Sequence, residues 1–177
     1  RRNERRKLAE NNGFSKSDPK KILCQNSPFA VKEAYNAIRT NLLFTQQGEK
    51  CPIFVVTSPT ANNGKTINSI NLAVSFAQMG KRTLLIDADM RRSVMVNMLE
   101  SGSVDKGLSH YLSGQCSLSE AVYATDSSRL HILFAGPVPP NPTELLSGDL
   151  FSDTLGSFRD IYDYIFIDCP PVGMVVD

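Results

Sequence analysis

No CxxC pair occurs among the 4 cysteines of this 177-residue chain. Cys24, Cys51, Cys116 and Cys169 stand far apart, which argues against a zinc site and a disulfide framework and for reduced thiols. No apolar run approaches the ~20 residues of a membrane span, and no stretch reads as a signal peptide. The two histidines, His110 and His131, lack ligand-spaced neighbours, so neither is expected to bind a metal or act in catalysis. Internal repeats and low-complexity tracts are missing. A net charge of +1 speaks against a nucleic-acid partner, and none is expected.

What is present is an ordinary globular composition, 41% hydrophobic and 21% charged, long enough for one domain with a core. The small net charge hides an asymmetry. Residues 1–23 hold eight Lys and Arg against three acids, an excess of five, which leaves −4 for the remainder. A basic, flexible arm over 1–28, broken by Gly13, Pro19 and Pro28, is therefore expected before a domain over 29–177. The arm suits anionic lipid headgroups, at about 1 kcal/mol per charge, or a solvated tail. The chain opens without Met and is expected to be a piece of something longer.

Apolar residues at 31, 34, 35, 38, 42 and 43 predict a helix over 29–46. Four short apolar runs predict strands: Ile53–Val56, Thr83–Ile86, Leu130–Phe134 and Asp163–Asp168. Helices are predicted from Lys65 to about Met79 and over 93–100, 105–113, 117–124 and 143–160. Continuous apolar strands alternating with helices indicate an α/β fold, a mostly parallel sheet flanked by helices. Ligands of such sheets sit beyond the carboxyl ends of the strands. Tyr162 and Tyr164 are expected to pack beside the last strand.

The segment from Val56 to Thr66 lies between a strand and a helix and ends in Gly64-Lys65-Thr66. That context suits a phosphate-binding loop, with backbone N–H groups and the helix N-terminus facing the phosphates. Pro59 stands where the strict G-x-x-x-x-G-K-[ST] pattern has its first Gly. Lys65 would put a point charge on the β and γ oxygens, and the Thr66 hydroxyl would serve Mg²⁺. Lys65 is expected to be exposed, so that Lys65→Ala abolishes Mg·ATP binding and leaves the fold intact. Asp87 and Asp89 end one strand and Asp168 another, where carboxylates can face a nucleotide and its metal. One of Asp87 and Asp89 is expected to contact Mg²⁺ or its waters and the other to take a proton from an attacking hydroxyl. Arg91 and Arg92 suit phosphate, a neighbouring subunit's acids or solvent.

Three motifs in order, Ser58–Thr66 (SPTANNGKT), Leu84–Arg91 (LLIDADMR) and Ile165–Pro170 (IFIDCP), resemble those of bacterial tyrosine kinases of the exopolysaccharide and capsule type. The segments Gly107–Gly114 and Gly136–Leu146 are similar too. That family is built on the ParA/MinD-like P-loop fold. The resemblance implies ATP contacts from Ser58, Ala61, Asn62, Asn63, Gly64, Lys65, Thr66, Ile67 and Arg91. It implies catalytic roles for Lys65, Asp87 and Asp89, and Mg²⁺ at Thr66, Asp87 and Asp168. It further implies transfer of the ATP γ-phosphate to tyrosine on the cytoplasmic side of the bacterial plasma membrane, beside a membrane-bound polysaccharide co-polymerase or activator segment. A homo-oligomer is implied as well, through the E-x-x-R-x-x-R pattern that survives as Glu33 and Arg39.

Some positions depart from the family. Asn62 replaces a Gly, so the loop is expected to wrap phosphates less freely. Asn36 replaces the first Arg, so self-association is expected to be weak and salt-sensitive. The family continues past Asp177 with further strands and a tyrosine-rich tail, so the domain is expected to be C-terminally incomplete. Thr60 stands where partition and septum-placing ATPases of this fold carry an extra Lys. A water-hydrolysing switch of that kind, and a non-catalytic scaffold, are the alternative readings.

Overall fold

The structure is a computed structural model and describes residues 22–46 and 48–174. The first helix, α1 (Phe29–Thr45), leads to strand β1 (Ile53–Val56), helix α2 (Lys65–Gln78) and strand β2 (Thr83–Asp87). Short helices α3 (Met95–Met98), α4 (Leu108–Leu112) and α5 (Leu118–Ala121) follow. Next come strands β3 (Val122–Ala124) and β4 (Leu130–Leu133), helices α6 (Pro142–Ser147) and α7 (Asp149–Phe158), and strand β5 (Tyr164–Asp168). A 3₁₀ turn occupies Val172–Met174.

The sheet runs β1-β5-β2-β4-β3, parallel except for the antiparallel β3–β4 pair. The expected α/β architecture is thus present. Its central strands are buried on both faces, which is why they read as unbroken apolar runs. Alternate residues serve different layers. Leu85 of β2 and Phe166 of β5 join Ile70 and Phe76 of α2 on one face. Leu84, Ile86, Ile165 and Ile167 meet Phe151 and Phe158 of α7 on the other. Phe166 lies 5.1 Å from both Phe54 and Phe76, ring centre to ring centre, and Phe76 lies 4.6 Å from Tyr164. Tyr162 is buried beside β5, as expected.

Several expectations need correction. Only residues 22–28 of the expected arm are among those described, and these seven are not an arm. Ile22 and Leu23 are buried in the core formed with α2, because two adjacent aliphatic side chains gain more from burial than from solvent. Residues 117–124 are not one helix: α5 stops at Ala121, and Val122–Ala124 pairs with β4. Residues 143–160 divide at Gly148, whose extended backbone (φ −74°, ψ 154°) ends α6 and starts α7. The helices predicted over 93–100 and 105–113 shorten to α3 and α4.

Strand register sets the site. Val56 pairs with Asp168, and Asp168 pairs with Asp87, so three strand ends form one row at the carboxyl edge. Adjacent strands lie about 4.8 Å apart, which brings the loop after β1 within side-chain reach of both aspartates.

Candidate active site

Two left-handed residues shape the loop between β1 and α2: Asn62 at φ 63° and Gly64 at φ 77°. Asn is one of the few residues with a side chain that visits this region routinely. Asn62 therefore takes the left-handed conformation that glycine adopts most readily. Pro59 is explained by the turn after β5. The Gly173 amide donates to the Pro59 carbonyl at 3.2 Å, and the Val172 amide donates to the Ser58 carbonyl at 3.0 Å. Position 59 thus supplies an acceptor, which proline retains. A Cβ on Gly173 would meet the Pro59 oxygen at 2.5 Å, so this close approach needs glycine.

Lys65 is not exposed as expected. Its side chain is only 10% accessible, because it turns into the acids at the sheet edge. Lys65 Nζ donates to Asp89 Oδ2 at 2.8 Å and to Thr66 Oγ1 at 3.3 Å, and lies 3.6 Å from Asp168 Oδ2. The Thr66 hydroxyl donates to Asp168 Oδ2 at 2.7 Å, and the Ser69 hydroxyl donates to Asp168 Oδ1 at 3.1 Å. Asp87 receives the Asp89 amide on Oδ1 at 3.1 Å and the Ser93 hydroxyl on Oδ2. Asp89 Oδ1 takes the Arg92 amide at 3.1 Å.

Three buried carboxylates share one buried ammonium at this edge. Burial pushes Asp87 up to about 7, helped by the charges of Asp168 and Asp89 and opposed by the Ser93 hydrogen bond. Asp168 is raised by burial as well, against the pull of Thr66, Lys65 and Ser69. Burial alone would lower Lys65, but its bond to Asp89 and the charges of all three acids outweigh that and hold it above the usual lysine value.

A cleft of about 380 Å³ opens beside this cluster. Of the expected ATP contacts, Ala61, Asn62, Gly64, Lys65, Thr66, Ile67 and Arg91 line it. Ser58 and Asn63 do not. Ser58 is buried and donates to the Thr60 carbonyl at 2.7 Å, while Asn63 Nδ2 donates to the Thr60 hydroxyl at 2.9 Å, so both shape the loop from behind. Asp89 lines the cleft; Asp87 and Asp168, both 0% exposed and engaged on both oxygens, lie behind it. The lining also includes Val94, Met98, Pro170 and Pro171, which were not among the expected site residues. Ser69 was missed too, although its place three residues after Thr66 puts both on one helix face. Nothing in the local pattern marks Ser93.

The remaining two predicted residues lie on α1. Arg39 Nη1 donates to the Ser75 carbonyl at 2.7 Å and its hydroxyl at 2.8 Å, so the guanidinium is bound to α2 of its own chain. Glu33 is exposed and accepts from Asn36 Nδ2 at 3.1 Å.

Sheet order, loop and Lys–Asp cluster together define a P-loop NTPase fold. The AAA-domain family model matches residues 61–176. Over 147 residues the chain is 44% identical to the tyrosine-protein kinase CpsD of Streptococcus agalactiae, covering 83% of this chain and 63% of that protein. The solved BceF tyrosine kinase domain matches with a TM-score of 0.78 and 37% identity, over 96% of this chain and 68% of that one. More distant is the septum site-determining protein MinD of Pyrococcus horikoshii complexed with Mg-ADP, at TM-score 0.59 and 27% identity over 68% of this chain and 49% of that one. The chain belongs to the bacterial tyrosine-kinase family within the ParA/MinD-like P-loop ATPases. It spans less than two thirds of the length of the curated relatives it matches first.

Proposed function

We propose that this chain binds Mg·ATP in the Lys65 cleft and takes part in transfer of the γ-phosphate to tyrosine, as a domain of a kinase that regulates capsular or secreted polysaccharide. The observation that carries this reading is the Lys65–Asp89–Asp168–Thr66 cluster at the mouth of a left-handed glycine loop. MinD, solved with Mg-ADP, supports the choice of ligand.

The donor set fits such a ligand. Among the described residues, no group of three His, Cys, Asp or Glu side chains is placed to hold an ion unaided. Mg²⁺ commonly needs less, being bound by one or two carboxylates plus phosphate oxygens and water. Thr66, on the cleft wall, would hold it, with Asp168 buried behind Thr66 and supporting its hydroxyl, and when bound it would neutralise charge on the phosphates. The Gly64, Lys65 and Thr66 amides open α2 and would bind phosphate oxygens. Lys65 would exchange Asp89 for those oxygens, which frees the one aspartate of β2's end that lines the cleft. Asp89 would then accept the proton of an attacking phenol, while Asp87 holds the Asp89 backbone amide. Arg91, at the cleft wall, would contact phosphate.

Acceptor tyrosines, the activating membrane segment and a homo-oligomer are proposed on the family's pattern, with the domain on the cytoplasmic face of the membrane. No helix among the described residues is long and apolar enough to cross a membrane. Arg39's bond to Ser75 means that an interface through α1 would use Glu33 directly and Arg39 as its support.

The test is incubation of the chain with Mg·ATP, alone and with a full-length relative made inactive in its own phosphate loop. Phosphotyrosine on the added protein supports the kinase. Release of inorganic phosphate without phosphotyrosine would instead favour a nucleotide switch, and no nucleotide binding would favour a scaffold.

A further inference from the structure

The phosphate loop is held from outside the cleft by a line of side chains that the proposed chemistry does not use. The Leu23 amide donates to Asn71 Oδ1 at 2.7 Å. Asn71 Nδ2 donates to the Tyr35 hydroxyl oxygen at 3.0 Å, and the Tyr35 hydroxyl donates to Asn68 Oδ1 at 2.8 Å. Asn68 Nδ2 then donates to the Gly64 carbonyl at 2.9 Å. All four donors point the same way, so the bonds polarise one another, and the last of them reaches the loop.

This line joins three segments far apart in sequence: the strap Ile22–Ser27, helix α1, and the final peptide of the phosphate loop. The strap is firmly docked, with Leu23 3% exposed in the same core as Ile70 and Phe76. At the other end, the Gly64 carbonyl also takes the Asn68 backbone N–H at 3.0 Å. Two donors on one carbonyl fix a peptide plane whose opposite end is the Lys65 N–H, a donor aimed at phosphate.

We infer that Tyr35 and Asn68 are positioning residues for the nucleotide, and that through them docking of the Ile22–Ser27 strap is coupled to nucleotide binding. The inference rests on the reading of this loop as the phosphate site. Coupling of this kind is reciprocal: whatever affinity the strap adds for nucleotide, nucleotide adds to the docking of the strap.

Tyr35→Phe keeps the ring packed against the core and cuts the line at its middle; Asn68→Ala removes its last link. The loss of one neutral hydrogen bond corresponds to roughly a two- to ten-fold weaker Mg·ATP affinity. Titration calorimetry on the chain should show that loss for each single variant. The double variant should bind no more weakly than Asn68→Ala alone, because the two act in series. Hydrogen exchange adds a readout that a merely structural role would not move. Mg·ATP should slow exchange of the Leu23 amide in the parent and not in Tyr35→Phe. Without nucleotide, Tyr35→Phe should speed exchange at both Leu23 and the 62–66 loop. If the parent fails to bind Mg·ATP, the functional reading falls, and the nucleotide-free exchange still decides whether the line connects strap and loop. Unchanged affinity in both singles, additive losses in the double, or exchange that changes at only one end would overturn the inference.

Discussion

Replacing Lys65 with methionine keeps most of the side-chain volume and removes only the charge, so its effect isolates electrostatics from packing. Lys65 is the cation of a site in which Asp87 and Asp168 are 0% exposed and Asp89 is 4% exposed. Asp87 already titrates near 7 instead of 3.8. Keeping it ionised at higher pH costs the fold roughly 4 kcal/mol. Without Lys65, Asp89 loses its 2.8 Å partner and Asp168 loses a cation 3.6 Å away. Breaking a buried pair in this way costs about 3–5 kcal/mol when the remaining charge cannot leave.

Protons relieve part of that cost. Removing the ammonium takes away a charge that pulls Asp168 down, and so raises its folded-state value further above the unfolded one. A carboxyl group raised in the fold binds its proton more tightly there, so the fold is favoured at low pH and loses stability as pH rises toward the raised value. Lys65→Met should therefore lose less stability near pH 5 than at pH 8, where the loss should reach about 2–4 kcal/mol. Urea denaturation of both proteins at pH 5, 6.5 and 8, without nucleotide or Mg²⁺, measures the difference. Mg·ATP binding should be lost at every pH. Equal stability of variant and parent at pH 8 would refute the reasoning, since it would mean that the three acids do not need the lysine.

Two further outcomes are expected. Burial pushes the Tyr162 phenol up to about 12, so its contribution is fully present below the ordinary value of 10 and lost as pH rises through 12. The parent should therefore lose roughly 3 kcal/mol across that window by urea denaturation, while Tyr162→Phe, which forfeits the His131 hydrogen bond at neutral pH, should lose less. Arg39→Ala removes two charged hydrogen bonds to Ser75 and should cost about 2 kcal/mol of stability at dilutions where sedimentation shows only monomer; an effect seen only when copies associate would assign Arg39 to the interface instead.

Most of the fold and half of the site geometry were legible because they follow from local patterns. Unbroken apolar runs mark strands buried on both faces, and β1, β2, β4 and β5 lie where those runs fall. Gly64, Lys65 and Thr66 declare themselves by standing between a strand and a helix, and Asp87, Asp89 and Asp168 by ending strands. Strand β3 escaped detection because three residues have no period of their own; Val122–Ala124 is extended only because β4 offers it a partner. The strap Ile22–Leu23 escaped because its basic neighbours dominate the composition, whereas its burial depends on a hollow beside α2 that exists only after folding.

By itself the sequence determined which residues would meet at the carboxyl edge, since strand ends and a helix start are one-dimensional facts. Only the tertiary structure decided what they do to one another. Placing β5 between β1 and β2 sets Asp168 beside both Thr66 and the end of β2, and that neighbourhood, not any residue's own character, buries Lys65 against acids. It seals Asp87 behind Asp89, because the Ser93 hydroxyl and the Asp89 amide close over it. It also turns Arg39 onto Ser75 and brings Tyr35 to Asn68, since contacts between two helices depend on how they pack, and no spacing along either chain segment encodes that.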